Sequence, residues 1–181
     1  SMFRPFPADL ITKILAGAKA VLVLERCDQP LAVDPPLLRE IRAAMTQGME
    51  RWKAQQAGGN GSKAAALPYP KHTPIDPASI PDFYSAGFGF GSRDLQPGDI
   101  VAAVNNMLPG GKKIRQFYLG IDFIRKGTRL PKLQIWQEQL LDAYPHLTEL
   151  ALESAGDLNL LPSGSTSLRI HSVGGWGAIT M

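Results

Sequence analysis

At 181 residues, 44% hydrophobic and 19% charged, the chain has room for one large domain, or for one domain and part of a second, and the balance of one that buries a core. Its net charge of +3 is spread over singly placed Lys and Arg with no continuous basic stripe, which excludes a phosphate-tracking nucleic-acid binder. A single cysteine, Cys27, excludes an internal disulfide framework and fits a reducing compartment, with the cytoplasm as the default, and no apolar run reaches the roughly 20 residues that span a bilayer.

In chain order, Ser1-Met2 reads as a cloning remnant rather than a signal peptide. Pro7, Leu10, Ile11, Ile14 and Leu15 have helical spacing, with Gly17 suited to end the helix. Ala20 to Leu24 is a continuous apolar run, the pattern of a strand covered on both faces and hence of a parallel sheet. Asp34 is placed to cap a helix beginning at Pro35 and Pro36, with Leu37, Leu38, Ile41, Ala44 and Met45 on its buried stripe, extended by Met49 and Trp52. From about 55 to 81 periodicity disappears into glycine, serine and proline, which predicts a surface excursion. Functional loop and dispensable insertion both fit it; insertion is favoured, with His72 exposed to solvent.

A short strand is predicted from Phe83, dissolving into a loop at Gly87, Gly89 and Gly91. Pro97 and Asp99 then open a helix whose Ile100, Val101, Val104, Met107 and Leu108 are expected to face the core, and Pro109-Gly110-Gly111 stops it. Phe117 to Ile124 is predicted as a second buried strand. A helix follows from Pro131 with Leu133, Trp136, Leu140, Leu141 and Tyr144 at helical spacing, broken or restarted at Pro145. Residues 4–155 are thus expected to form one α/β domain, 156–166 a linker, and 167–181 the truncated start of a further domain. There, Leu168 to Val173 has strand character and runs into a glycine turn, and the chain ends four residues after Gly177.

Three clusters are candidates for chemistry. Glu25, Arg26, Cys27 and Asp28 fall at the carboxyl end of the first strand, the edge where open parallel sheets meet ligands or partners. Their side chains alternate in direction, and with no histidine nearby Cys27 is expected to be packed rather than nucleophilic. Gly89, Gly91, Ser92, Arg93 and Asp94 offer amides, a hydroxyl and a guanidinium ahead of a helix, which suits an anion or a tight turn capped by Asp94. Gly174, Gly175 and Gly177 are candidates for a phosphate loop or a packing turn, without dinucleotide-fingerprint spacing. No catalytic residue is assigned, and His72, His146 and His171 lie too far apart to suggest a metal site.

Three stretches resemble the thiamine-diphosphate-dependent 2-oxoacid oxidoreductases that pass electrons to ferredoxin or flavodoxin. Arg4-Pro5-Phe6 followed by Ala20 to Arg26 and Pro36-Leu37 is similar to the start of that family's second domain. Gly87 to Pro97 is similar to its glycine-serine-basic-acidic-aromatic-x-proline segment before a helix. Leu168 to Thr180 is similar to the opening of the next domain, with Trp176 in place of a glutamine. Cys27 to Val33 and Gly120 to Phe123 depart from the family pattern.

The resemblance implies a three-layer α/β/α fold with a mostly parallel sheet, like the carboxyl-terminal domain of transketolases. It implies a cytoplasmic enzyme that oxidatively decarboxylates a 2-oxoacid such as pyruvate to an acyl-coenzyme A. Thiamine diphosphate, iron–sulfur clusters and coenzyme A are implied for the whole enzyme and none for this segment. The segment would be inactive alone, a scaffold contacting other domains or subunits, with Arg4, Glu25, Arg26, Gly89, Gly91, Ser92, Arg93 and Asp94 facing an interface or ligand. A stand-alone module binding phosphate, coenzyme A or a nucleotide through its glycine loops is the alternative, and a redox-inactive homologue kept for assembly is a third reading.

Overall fold

The computed structural model describes residues 4–29, 32–57, 71–121, 124, 130–156, 158 and 160–166. Helix α1 (Ala8–Leu15) carries Asp9 in its first turn and ends where Gly17 takes φ +79°, as the sequence predicts. Ile11 and Leu15 pack inward, while Leu10 and Ile14 stay exposed. Strand β1 (Ala20–Glu25) follows, then helix α2 (Pro36–Gln56), whose buried positions Leu38, Ile41, Ala44 and Met45 match the expected stripe. Asp34 does not cap this helix: its carboxylate pairs with Arg42 at 2.9 Å, and Pro35 occupies the cap position without a side-chain bond.

The surface excursion does not run on to residue 81 as predicted, because His72 and Ile75 are buried. His72 is 7% exposed, a correction to its expected solvation, and its Nε2 lies 2.9 Å from the Ala44 carbonyl and 3.0 Å from Thr12 Oγ1. A carbonyl only accepts, so this nitrogen carries the proton. Asp9 accepts from the Thr73 amide at 2.7 Å, and the Ile75 amide donates to the Gly48 carbonyl at 3.1 Å. Gly48 is the crossing point: a Cβ there would lie 2.7 Å from Ile75 Cγ2 and 3.0 Å from the Thr73 carbonyl. A 3-10 turn at Pro77–Ser79, capped by the Asp76 carboxylate on the Ala78 amide at 2.9 Å, leads into the sheet.

Strand β2 (Asp82–Gly87) pairs parallel with β1 from Ala20↔Asp82 to Glu25↔Gly87, and β3 (Gln116–Tyr118) pairs parallel with β2 from Ser85↔Gln116 to Gly87↔Tyr118. The order is β1-β2-β3, and a parallel bridge from Tyr118 to Ala151 continues it. Strand alternation sends Val23 and Phe83 to one face, under α1 and α2, and Leu22, Leu24, Tyr84, Ala86 and Phe117 to the other. That second face is covered by helix α3 (Pro97–Met107). The result is the three-layer α/β architecture with an open parallel sheet that the sequence implied. Phe117 and Tyr84 are at most 1% exposed, and burying a side chain of this size stabilises by about 1.5–3 kcal/mol.

Two expectations about these later elements fail. The third strand stops at Tyr118 rather than running to Ile124, since Gly120 at φ +72° turns the backbone out of the sheet. Leu119 and Ile124 are nevertheless buried. On α3 the buried residues are Gly98, Asp99, Ala102, Ala103 and Asn106, whereas Ile100, Val101, Val104 and Leu108 face outward. The small side of the helix lies on the sheet, where close approach is gained at the expense of the aliphatic side. Helix α4 (Pro131–Ala143) has no buried residue, and Leu133, Trp136 and Tyr144 remain exposed. Pro145 then separates it from the short helix α5 (Leu147–Leu150). The residues following α5 cross the first turn of α3, where the Ala155 amide donates to the Gly98 carbonyl at 3.1 Å. The predicted strand Leu168 to Val173 and the glycines 174, 175 and 177 lie outside the described residues.

Candidate functional site at the carboxyl edge of the sheet

The parallel register ends all three strands at one edge, where Glu25, Gly87 and Tyr118 lie side by side. Glu25 is buried, and its two carboxylate oxygens accept the amides of Leu37 at 2.7 Å and Leu38 at 3.2 Å. These amides belong to the first turn of α2, which lacks intrahelical partners for them. The carboxylate of β1 therefore caps a helix that begins 11 residues later, and it favours the positive end of the helix dipole. Its backbone carbonyl accepts from the Phe88 amide at 3.1 Å, tying the β1 end to the β2 end.

Arg26 points the other way and is exposed, as alternation predicts. Its stem lies across Gly89, which adopts φ +79°; a Cβ there would meet Arg26 Cγ at 2.7 Å and Nε at 2.8 Å. Glycine is required at this point both for the left-handed backbone and for the close passage. Among the described residues no carboxylate forms a salt bridge with Arg26. The adjacent Phe90 meets Tyr118 edge-on, with centroids 5.5 Å apart. The Tyr118 phenol is pushed up, first by burial and then by the Asp28 carboxylate. The Cys27 thiol is likewise pushed up, first by burial and then by Glu25 and Asp28. A thiol held protonated is a poor nucleophile, in keeping with the packed role expected for it.

The candidates thus separate into groups. Glu25, Arg26 and Gly89 come together. Gly91, Ser92, Arg93 and Asp94 follow on the exposed side of a 3-10 turn at Phe90–Ser92, with Ser92 at φ +58°. Asp94 does not cap the next helix, because Gln96 holds the cap position of α3 and its amide donates to Asp99 Oδ2 at 3.0 Å. Arg4 lies elsewhere, paired with Glu40 of α2 at 2.7 Å. Tyr118 joining the edge could not be read from sequence, since only the pairing of β3 with β2 brings residue 118 to the strand ends where residues 25 to 28 lie.

At the opposite, amino end of the strands, a groove of about 450 Å³ is lined by Arg42, Met45, Met49, Phe83 and Arg115 among others. Both guanidiniums are engaged, Arg42 with Asp34 and Arg115 with Asp82, each at 2.9 Å. Among the described residues no group of three or more His, Cys, Asp or Glu is placed to hold a metal ion, and no helix is long and apolar enough to cross a membrane.

At this edge of the parallel α/β layer structure the strand-end acid caps a helix, and the neighbouring thiol and phenol are both pushed up. Residues 1–66 match the family model of pyruvate:ferredoxin oxidoreductase core domain II. This match takes in α1, β1, α2, Arg4, Glu25 and Arg26. It does not extend to the glycine loop at 87–97. No curated protein matches the chain.

Proposed function

We propose that this chain is an architectural segment of a 2-oxoacid:ferredoxin or flavodoxin oxidoreductase, holding neighbouring domains or subunits of that enzyme in place. The observation that carries the reading is the match of residues 1–66 to core domain II of the pyruvate:ferredoxin oxidoreductases. The geometry of the carboxyl edge supports it, since Glu25 is fixed on α2 and Arg26 is left as the outward-facing charge. A charge displayed beside a rigid glycine turn suits contact with another part of the enzyme. Decarboxylation on thiamine diphosphate, transfer through iron–sulfur clusters and release of acyl-coenzyme A belong, on this reading, to other segments. A cluster takes about four thiolates and this chain has one cysteine.

The test uses the whole enzyme in which this segment occurs. Arg26→Ala together with Gly89→Val is expected to weaken assembly of domains or subunits, seen by sedimentation, and to lower oxidative decarboxylation in proportion, with the KM for the 2-oxoacid unchanged. Unaltered assembly and turnover would sink the proposal. So would micromolar binding of coenzyme A or a nucleotide to this chain in calorimetry, abolished by the same variants, which is the behaviour of a stand-alone binding module.

A further inference from the structure

We propose that the groove at the amino end of the strands binds a small organic carboxylate with an aliphatic or aromatic body, with Arg42 and Arg115 as its anion-binding groups. The inference rests on the groove alone. It lies at the other end of the strands from Arg26 and Gly89 and does not depend on the oxidoreductase reading.

Two parts of the chain build the groove. Arg42, Met45, Thr46 and Met49 are spaced i, i+3, i+4 and i+7 along α2 and so share one face of the helix. The other side is the entry to β2, from Ile80 to Phe83, together with Arg115 immediately before β3. Parallel pairing brings both strand entries to one end of the sheet, where the Arg115 carbonyl accepts the Ser85 amide at 2.8 Å. The floor is apolar: Met45 and Phe83 are buried, and Met49 and Ile80 are half-buried in the same cluster. At about 450 Å³ the groove falls within the range of roughly 300–1,000 Å³ in which small ligands are held.

Its two cations are set in place. The Arg42 guanidinium lies 5.3 Å from the centre of the Phe83 ring and the Arg115 guanidinium 4.5 Å from that of Tyr84. Attraction to the ring faces adds to the ion pairs with Asp34 and Asp82, and both arginines remain accessible, 47% and 51% exposed. A guanidinium has five N–H donors and one carboxylate takes at most two, so each arginine can donate to a second anion without giving up its ion pair. Asp34, which holds Arg42 through Nε, is not among the described residues that line the groove. The described lining therefore carries two positive side chains and one negative, Asp82. Charge favours an anion, and the methionine and phenylalanine floor favours an apolar body that the flexible thioethers can mould to. Only a ligand with both parts uses the whole groove.

The test is titration of the chain with octanoate, followed by amide chemical shifts in solution NMR. Octanoate is expected to move the amides of residues 42–49, 82–84 and 115 with a Kd of about 0.1–1 mM. 1-Octanol, which lacks the charge, is expected to bind at least about tenfold more weakly, and inorganic phosphate, which lacks the body, to leave these amides unmoved at the same concentration. Arg42→Gln and Arg115→Gln are each expected to weaken octanoate about five- to tenfold with circular dichroism unchanged, since exposed ion pairs add little to stability. Asp82→Asn removes the one acidic side chain of the described lining and is expected to tighten octanoate about two- to fivefold, whereas loss of local structure would weaken it. No shift up to about 10 mM octanoate overturns the proposal. So does binding indifferent to both arginine variants, equal competition by 1-octanol or by phosphate alone, or weaker binding in Asp82→Asn.

Discussion

Glu25 shows how one carboxylate sets the geometry of an edge. It is buried at a strand end, yet both of its oxygens are satisfied by backbone amides. Glu25→Ala leaves two amides without partners and is expected to destabilise the fold by about 2 kcal/mol, read from urea denaturation; Glu25→Gln keeps one acceptor oxygen and costs less. Sequence singled out this position because it ends an apolar run, but not its task, because the amides it binds are 12 and 13 residues away. His72 was misjudged for the same reason: its partners, Thr12 and Ala44, are 60 and 28 residues distant, and a histidine among prolines carries no local sign of burial. Asp9 belongs to this scale too. Its carboxyl is held well below the ordinary range of about 4 by Lys13 first and by Thr73 next. The native state therefore binds this proton more weakly than the unfolded chain does. The stabilisation is fully present above about pH 5 and is lost as pH falls from about 4 toward the folded value. Asp9→Asn is expected to be less stable than the parent near pH 6 and to converge with it in acid; parallel pH profiles would show that the Lys13 and Thr73 contacts contribute nothing.

At the scale of elements, α2 was legible from its proline start and its 3.6-residue apolar stripe, as was β1 from its continuous hydrophobicity. Gly48 could not be read, because a mid-helix glycine is uninformative until a crossing strand of chain is placed over it. Replacing such a glycine by alanine on an open helix surface stabilises by about 1 kcal/mol. Here the new Cβ would press on Ile75 Cγ2 and the Thr73 carbonyl, one of them backbone that cannot rotate away. Overpacking of this kind costs about 1–3 kcal/mol, so Gly48→Ala is expected to lower the denaturation midpoint with an unchanged slope. A raised midpoint would mean that the 72–75 segment yields easily. The face of α3 was misassigned because periodicity gives the angle between apolar residues but not which of two apolar arcs meets the sheet. Alanines 102 and 103 form one arc and the larger aliphatics the other, and close packing selected the smaller.

At the scale of the whole molecule, the continuous apolar run of β1 was enough to foresee a parallel sheet, and the three-layer plan came from the family resemblance. The spatial order β1-β2-β3 and the joining of the Ala151 segment to the sheet depend on pairings between distant residues, which a single sequence does not display. The same limit applies to the candidate site. Its first strand end lies within the stretch matched to core domain II, while its glycine turn and Tyr118 come from outside that stretch and meet it only in the folded chain.

The Glu25 cap also bears on the order in which the chain can assemble. It joins β1 to α2 by closing 12 residues, whereas fastening His72 to Thr12 closes 60. Loop-closure entropy makes the longer closure about 1.4 kcal/mol more costly. A strand bonded to the helix that follows it is a unit the chain can visit early and cheaply, leaving β2 to arrive on a template whose edge is already formed.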